Sequence, residues 1–416
     1  MNMTSTKKQS YDLIVTGGGA AGMFAAGSAA SAGLRVCLVE QNDRPGRKLR
    51  ITGKGRCNVT SDSTVEEVLA QVVRNPRFLY SAMAAFPPAR TMEFFESRGC
   101  PLKVERGKRV FPVSDRAADI AAVLQREMAR GGVQVVQDRV TGLLQADGRA
   151  AGVQCTGGSL TGRAVLLATG GCSYPATGSD GSGYALAAAA GHTIIPPRGS
   201  LVPLVEDGSW CARLQGLSLR NAGLTLTDGK GKTVYTDFGE MLFTGDGLSG
   251  PTVLSASARM QPGEHYTVRI DLKPALDAQK LDRRMLRDLG EYHNRTMEHA
   301  LVDLYPRSLI PVMLERAGLD PQLRANALTR AQRQTLLELT KSFPVEIAGT
   351  RPIAEAIVTA GGVKVSEVSP KTMESKKLPG LYFAGEILDV DACTGGFNLQ
   401  IAWATAHAAA AAVCAL

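Results

Sequence analysis

The segment Tyr11–Glu40, YDLIVTGGGAAGMFAAGSAASAGLRVCLVE, constrains the fold of this chain more than any other stretch. It reads as strand, glycine turn, small-residue helix, second strand and terminal acid, the order of a βαβ unit built around a dinucleotide. Gly17, Gly19 and Gly22 have the G-x-G-x-x-G spacing. The first suits the tight turn, the second the close approach of backbone to a pyrophosphate, and the third the seating of the helix on the sheet. The helix N-terminus then presents free N–H groups and a positive dipole end to phosphate. Glu40 ends the second strand eighteen residues after Gly22. A carboxylate there accepts both ribose hydroxyls of an adenosine and repels a 2′-phosphate, which favours FAD or NAD over NADP.

With 416 residues the chain is long enough to bury more than one core, and two or three domains are expected. The formal net charge is +8, but Lys and Arg are scattered without a run of four. That pattern fits a solvated basic surface that also attracts nucleotide phosphates, so a nucleic-acid partner is not expected. Eight cysteines form no C-x-x-C and no regular ladder, which points to free thiols in a reducing compartment, without disulfides or a metal site. The short polar start MNMTSTKKQS does not read as a signal peptide, so a cytoplasmic location is expected. Residues 399–416 carry no Asp, Glu, Lys or Arg, yet they are mostly alanine with Gln400 and His407. A helix buried in protein is the expectation there, rather than a membrane span.

Residues 115–131 read as an amphipathic helix, and the following VQVVQDRVTGLLQADGRAAGVQCTGG alternates like a β-meander. AVLLATGG, residues 164–171, reads as a short buried strand ending in glycines. From about residue 195 the texture changes to spaced β-like runs, and residues 275–345 are helical in pattern. Glycine-rich α/β character then returns. The expected fold class is α/β: a Rossmann-like FAD-binding domain formed by residues 1–194 and 346–416, with an insertion at 195–345, β-rich over 195–272 and helical over 273–345.

Two further glycine-rich segments lie far from the first. In ATGGCSYPATGSDGSG, Thr169, Gly170 and Gly171 would end a central strand beside the cofactor; the alternative is a cluster of β-turns. In GLYFAGEILDVDACTGGFNLQIAWATAHA, a strand delivers Glu386 to its end, where a carboxylate can take hydrogen bonds from the ribitol hydroxyls of FAD. Gly395, Gly396 and Phe397 lead into a helix starting near Asn398, whose N-terminus would stabilise negative charge on a reduced isoalloxazine. For Glu386, Asp389 and Asp391 the alternative is a solvated acidic loop. Six basic residues between Arg44 and Arg56 suggest neutralisation of a diphosphate, with half of them facing water.

The sequence resembles the BaiN-like bacterial flavoproteins of the glutathione-reductase-like superfamily. GRKLRITGKGRCNVTS at 46–61, ATGGCSYPATGSDGSG, GEMLFTGDGLSGPTVL at 239–254, AIVTAGGV at 356–363 and the segment from Thr372 onward carry the resemblance, which covers nearly the whole chain. It implies FAD contacts at Gly17, Gly19, Gly22, Glu40, Lys48, Thr52, Asn58, Thr169, Gly170, Glu386, Gly396, Phe397 and Asn398; Ala21 and Val140 complete the expected cofactor set. It also implies an inserted domain. The chain departs from the family pattern at Gly245–Asp246 and at ATAH, where His407 stands in place of a common glycine.

Three residues are candidates for proton chemistry. Cys57 could donate a proton or form a flavin adduct, Tyr174 could protonate an enolate-like intermediate, and His407 could act as an acid or base. Each has a bland alternative: a packed thiol, a tyrosine packed next to Pro175, a satisfied core histidine. A redox-active cysteine pair is absent from the sequence, and NADH or NADPH is expected as a transient donor. The expected function is an FAD-dependent oxidoreductase reducing an activated C=C bond of a small or steroid-like enone. An aminoacetone-type amine oxidase and a tRNA-modifying flavoprotein are the alternatives. The oligomeric state is left open.

Overall fold

The computed structural model describes residues 10–416, in two compact units: residues up to Ser200 together with Ile353–Leu416, and Leu201–Pro352. The first unit is organised by strand β1 (Ser10–Thr16), helix α1 (Ala20–Ser31) and strand β2 (Val36–Glu40). β1 pairs in parallel with β2 on one side and with the strand Gly158–Leu167 on the other. α1 is apolar all round because it is covered on several faces: it packs on the helix Phe397–Cys414 and on the amphipathic helix Ala117–Arg130. Its small residues permit that close approach.

The strand Gly158–Leu167 serves two roles that the sequence reading assigned to separate segments. Its first half pairs antiparallel with Arg149–Cys155 as the last arm of the meander. Its second half is a buried parallel strand, bonded to β1 and to Leu381–Phe383. A single ten-residue strand is long enough for both. The carboxyl ends of β1, Gly158–Leu167 and Leu381–Phe383 therefore lie side by side, with Leu167 paired to both Thr16 and Phe383.

The helix Phe397–Cys414 is buried in protein along most of its length. Trp403, wholly buried, packs on Phe24 and Phe95 and donates to the Val59 carbonyl at 2.9 Å. Gln400 is equally buried but satisfied: its Oε1 accepts from the Thr60 and Thr91 hydroxyls, each at 2.7 Å, and its Nε2 donates to the Phe86 carbonyl. Among the described residues no helix is long and apolar enough to cross a membrane.

The second unit is a closed β-barrel in the order Leu204–Glu206, Gly247–Ser249, Thr233–Phe243, Ser218–Asp228, Tyr266–Asp271 and Phe343–Thr350, with helices including Ala278–Glu291 and Arg330–Lys341. The texture changes read at 195 and 345 fall inside paired strands. Ile194–Ser200 pairs with Val358–Val363 in the first unit, and Phe343–Thr350 closes the barrel between Tyr266–Asp271 and Leu204–Glu206. Ladder partners this distant in sequence leave no local mark, so periodicity alone could not show either pairing.

Candidate flavin site

The parallel sheet places the three distant glycine loops on one carboxyl edge, the position where open α/β sheets bind ligands. Gly17 takes a φ of +98°, and a Cβ there would stand 2.6 Å from the Ala168 carbonyl oxygen. A Cβ on Gly22 would collide with the Gly17 carbonyl oxygen, so only glycine lets α1 begin where it does. By contrast, nothing lies within 4 Å of a Cβ at Gly19, which leaves room for a ligand over the turn. Ala21 is buried in the first turn of α1 behind Gly385, where a Cβ would come within 3.0 Å of the Ala21 methyl. Glu40 ends β2 nearly buried; its Oε2 accepts from the Gly18 N–H at 2.7 Å and its Oε1 from Asn42. Val140 opens the strand Val140–Ala146 at the opposite edge of the sheet, two residues after Asp138, whose N–H donates to the Glu40 carbonyl.

At the centre of the edge is a network that the sequence reading saw only in part. Lys48 Nζ lies 2.8 Å from Glu386 Oε2 and 2.6 Å from Ser173 Oγ. Glu386 Oε1 accepts from Ser173 Oγ at 2.8 Å and from the Thr359 N–H at 2.9 Å. The Thr359 hydroxyl in turn accepts the N–H groups of Cys172 and Ser173. Burial pushes the Glu386 carboxyl up, but the Lys48 charge and hydrogen bond, with Ser173 and Thr359, hold it below the ordinary range. Ser173 and Thr359 were not singled out from sequence, although both lie inside the segments that carried the resemblance.

The loop around Asn58 joins the same edge. Gly396 has a φ of +93°, and a Cβ there would clash with the Thr60 carbonyl oxygen and stand 2.9 Å from Asn58 Oδ1. Gly396 caps the helix beginning at Phe397, as the sequence reading expects. Asn398 is turned onto its own loop: its Oδ1 accepts from the Ala392 N–H at 3.0 Å and its Nδ2 donates to the Ala392 carbonyl at 2.8 Å. Thr52 donates to the Leu49 carbonyl. Within the basic loop, Arg56 is committed to Glu105 and Asp115. Arg44, Arg47 and Lys54 are exposed, and Lys48 is the cation joined to the loop network.

The geometry gives two of the three acid–base candidates packed surroundings. Cys57 has no exposed surface and burial pushes its thiol up to about 12, so it stays protonated and packed. His407 lies ten residues beyond Phe397, about 15 Å along the helix axis, where it stacks on Phe86 with ring centroids 4.9 Å apart. Burial and Arg90 hold its imidazole below the usual histidine value. Tyr174 is different: it is 37 % exposed and directly follows Ser173. The solvated-loop alternative for the acids also falls, because Asp391 has no exposed surface and Asp389 is nine-tenths buried.

The residues present fit FAD. The glycine turn is open above Gly19, an acid closes β2, Glu386 stands at the centre of the edge, and a capped helix starts at Phe397. Thr169 Oγ1 and Asn58 Oδ1 are buried without a hydrogen-bond partner from the protein, and Gly170 takes a φ of +75° beside Ser179. The family described as HI0933-like protein Rossmann domain matches residues 11–412. The chain belongs to this HI0933-like family. It is an FAD-dependent oxidoreductase. The chain is 33 % identical over 401 residues to a 3-dehydro-bile acid delta(4,6)-reductase of Clostridium scindens, covering 95 % of this chain and 97 % of that protein. It is 33 % identical over 409 residues to a ribosomal RNA dihydrouridine synthase of Escherichia coli, covering 96 % and 97 %. Its fold is similar to that of 3-ketosteroid delta1-dehydrogenase from Sterolibacterium denitrificans, with a TM-score of 0.54 at 15 % identity over 98 % of this chain and 99 % of that one.

Proposed function

We propose that this HI0933-like protein reduces a carbon–carbon double bond conjugated to a carbonyl, with NADH or NADPH as transient donor. The observation that carries the reading is that two relatives of equal identity are named for the same bond chemistry. A delta-4 double bond beside a 3-oxo group and the C5=C6 bond of uracil beside its C4 carbonyl are both enone-like. Each takes a hydride at the β carbon and a proton at the α carbon. A small or steroid-like enone is the preferred substrate.

FAD, when bound, supplies the hydride. Gly17, Gly19, Ala21 and Gly22 would receive its pyrophosphate, Glu40 and Val140 its adenosine end, and Lys48, Thr52, Thr169, Gly170 and Glu386 its ribitol and ring edge. Gly396, Phe397, Asn398 and Asn58 would face the pyrimidine side. Tyr174 is the residue proposed to deliver the proton, because it is exposed and directly follows Ser173 of the Lys48–Ser173–Glu386 network.

A second reading, reduction of uridine in RNA, is supported by the dihydrouridine synthase relative and by the net charge of +8. The deciding experiment reduces the purified flavoprotein anaerobically with NADH or NADPH, then offers a 4-en-3-one steroid or a uridine-containing ribosomal RNA transcript. Reoxidation of the flavin by the steroid with formation of the saturated ketone supports the preferred reading. Dihydrouridine found by mass spectrometry transfers the function to RNA. Bleaching by aminoacetone without a nicotinamide, and reoxidation by neither acceptor, overturns both in favour of amine oxidation.

A further inference from the structure

The loop 389–393, between Glu386 and the helix that starts at Phe397, has no ladder of its own. It is held by a segment more than three hundred residues earlier in the chain. The Val73 N–H donates to the Asp391 carbonyl at 2.8 Å, the Cys393 N–H donates to the Gln71 carbonyl at 2.9 Å, and Val72 bridges Ala392. Asn75 Nδ2 donates to the Asp389 carbonyl at 2.7 Å and to its carboxyl at 3.1 Å. Arg74 Nη1 lies 2.6 Å from Asp391 Oδ1, and Ser200 Oγ donates to Asp391 Oδ2 at 2.6 Å. Asn398, in the first turn of the helix, brackets Ala392 from the other side.

Asp391 has no exposed side-chain surface and Arg74 has 18 %. An ion pair this deep costs desolvation that its attraction barely offsets, and an apolar pair of similar shape is often as stable or more so. What the pair does supply is direction, because a guanidinium and a carboxylate meet in few geometries.

We propose that the Arg74–Asp391 pair, assisted by Ser200 and Asn75, positions the N-terminus of the helix Phe397–Cys414 against the flavin ring and thereby sets the flavin's reduction potential. This rests on the reading that places the pyrimidine edge at Gly396–Asn398. The helix end stabilises negative charge on the reduced ring only while its N–H groups point at it, and the dipole effect fades within one turn. A loop released from residues 71–75 lets the helix start shift and weakens that stabilisation. Arg74 and Asp391 are positioning residues in this scheme, acting through the loop.

The test is a redox titration of the FAD-loaded full-length protein, followed by flavin absorbance. Arg74→Met is expected to lower the reduced-to-oxidised ratio at fixed poise about tenfold, which for a two-electron couple is about 30 mV. The paired variant R74M/D391L, which removes the buried charge, is expected to regain melting temperature while its potential stays displaced. Return of the potential together with stability would show a merely structural role and overturn the proposal. If Arg74→Met does not fold, Arg74→Lys keeps the charge without the fork and is expected to shift the potential in the same direction; a wild-type value overturns the proposal. Asn398→Asp separates the two layers, since it puts a carboxylate at the helix start. An unmoved potential in that variant removes the pyrimidine-edge reading and the proposal with it, whereas a shift in Asn398→Asp with none in Arg74→Met removes the positioning role alone.

Discussion

Tyr174 carries the prediction that bears most directly on chemistry. Tyr174→Phe keeps the ring and removes the proton. The rate of flavin reoxidation by an enone is expected to fall about 10²-fold or more, the usual scale for one general acid, while FAD content and reduction by dithionite stay as in the wild type. Stopped-flow absorbance checks this, and an unchanged reoxidation rate returns Tyr174 to a packing role. Away from the site, His192 predicts an acid-sensitive fold. Its ring is sealed in the core, Nε2 is 2.7 Å from Ser375 Oγ, and burial holds its imidazole below the ordinary value despite the nearby Glu367. A histidine with a lower value in the folded state contributes fully above the unfolded pKa of about 6.5, and loses stability as pH falls below it. Urea unfolding between about pH 7.5 and 5.5 should show stability falling toward the acid end, and His192→Gln should flatten that slope. Equal slopes in the two proteins would remove His192 as the cause.

Elements are where turn glycines and helix starts have their effect. Gly396 combines a left-handed backbone with contact against Thr60, so Gly396→Ala carries both strain and a clash. Gly396→Ala should cost about 2 kcal/mol or more and reduce FAD retention through gel filtration; Gly19→Ala, with open space at its Cβ, should spare the fold and weaken only FAD. Similar melting temperatures for the two apo variants would contradict the packing argument. The βαβ unit from Ser10 to Glu40 was legible because its signals are local: three glycines, a run of small residues and a strand-ending acid within thirty residues. Helix Ala117–Arg130 was legible for the same reason, since an amphipathic period needs no distant partner. The dual strand Gly158–Leu167 and the barrel-closing Phe343–Thr350 were not, because a strand's neighbours are chosen by the sheet.

For the molecule as a whole, FAD should bind the folded chain and add stability by mass action. At free FAD one hundred times its dissociation constant, the gain is about 2.7 kcal/mol. Differential scanning calorimetry of apo and FAD-loaded protein should show a rise of several degrees in the transition of the unit that contains β1. A trace that FAD leaves unmoved would count against the site assembled here. Because the chain has two compact units, the traces are compared transition by transition rather than as one melting point.

The residues by themselves determined the dinucleotide turn, the α/β class and the family, since each rests on short spacings and on motifs that keep their meaning wherever the chain goes. Tertiary structure decided what those motifs touch. Lys48 could have faced a diphosphate or water, and the fold bonds it to Glu386; Asp391 could have been a solvated acid, and the fold seals it against Arg74 and Ser200. His407 lay within a motif but sits about fifteen ångströms down its helix, beside Phe86. The physical reason is common to all three. Burial and charge pairing are properties of neighbours in space, and here those neighbours are separated by between 191 and 338 residues along the chain.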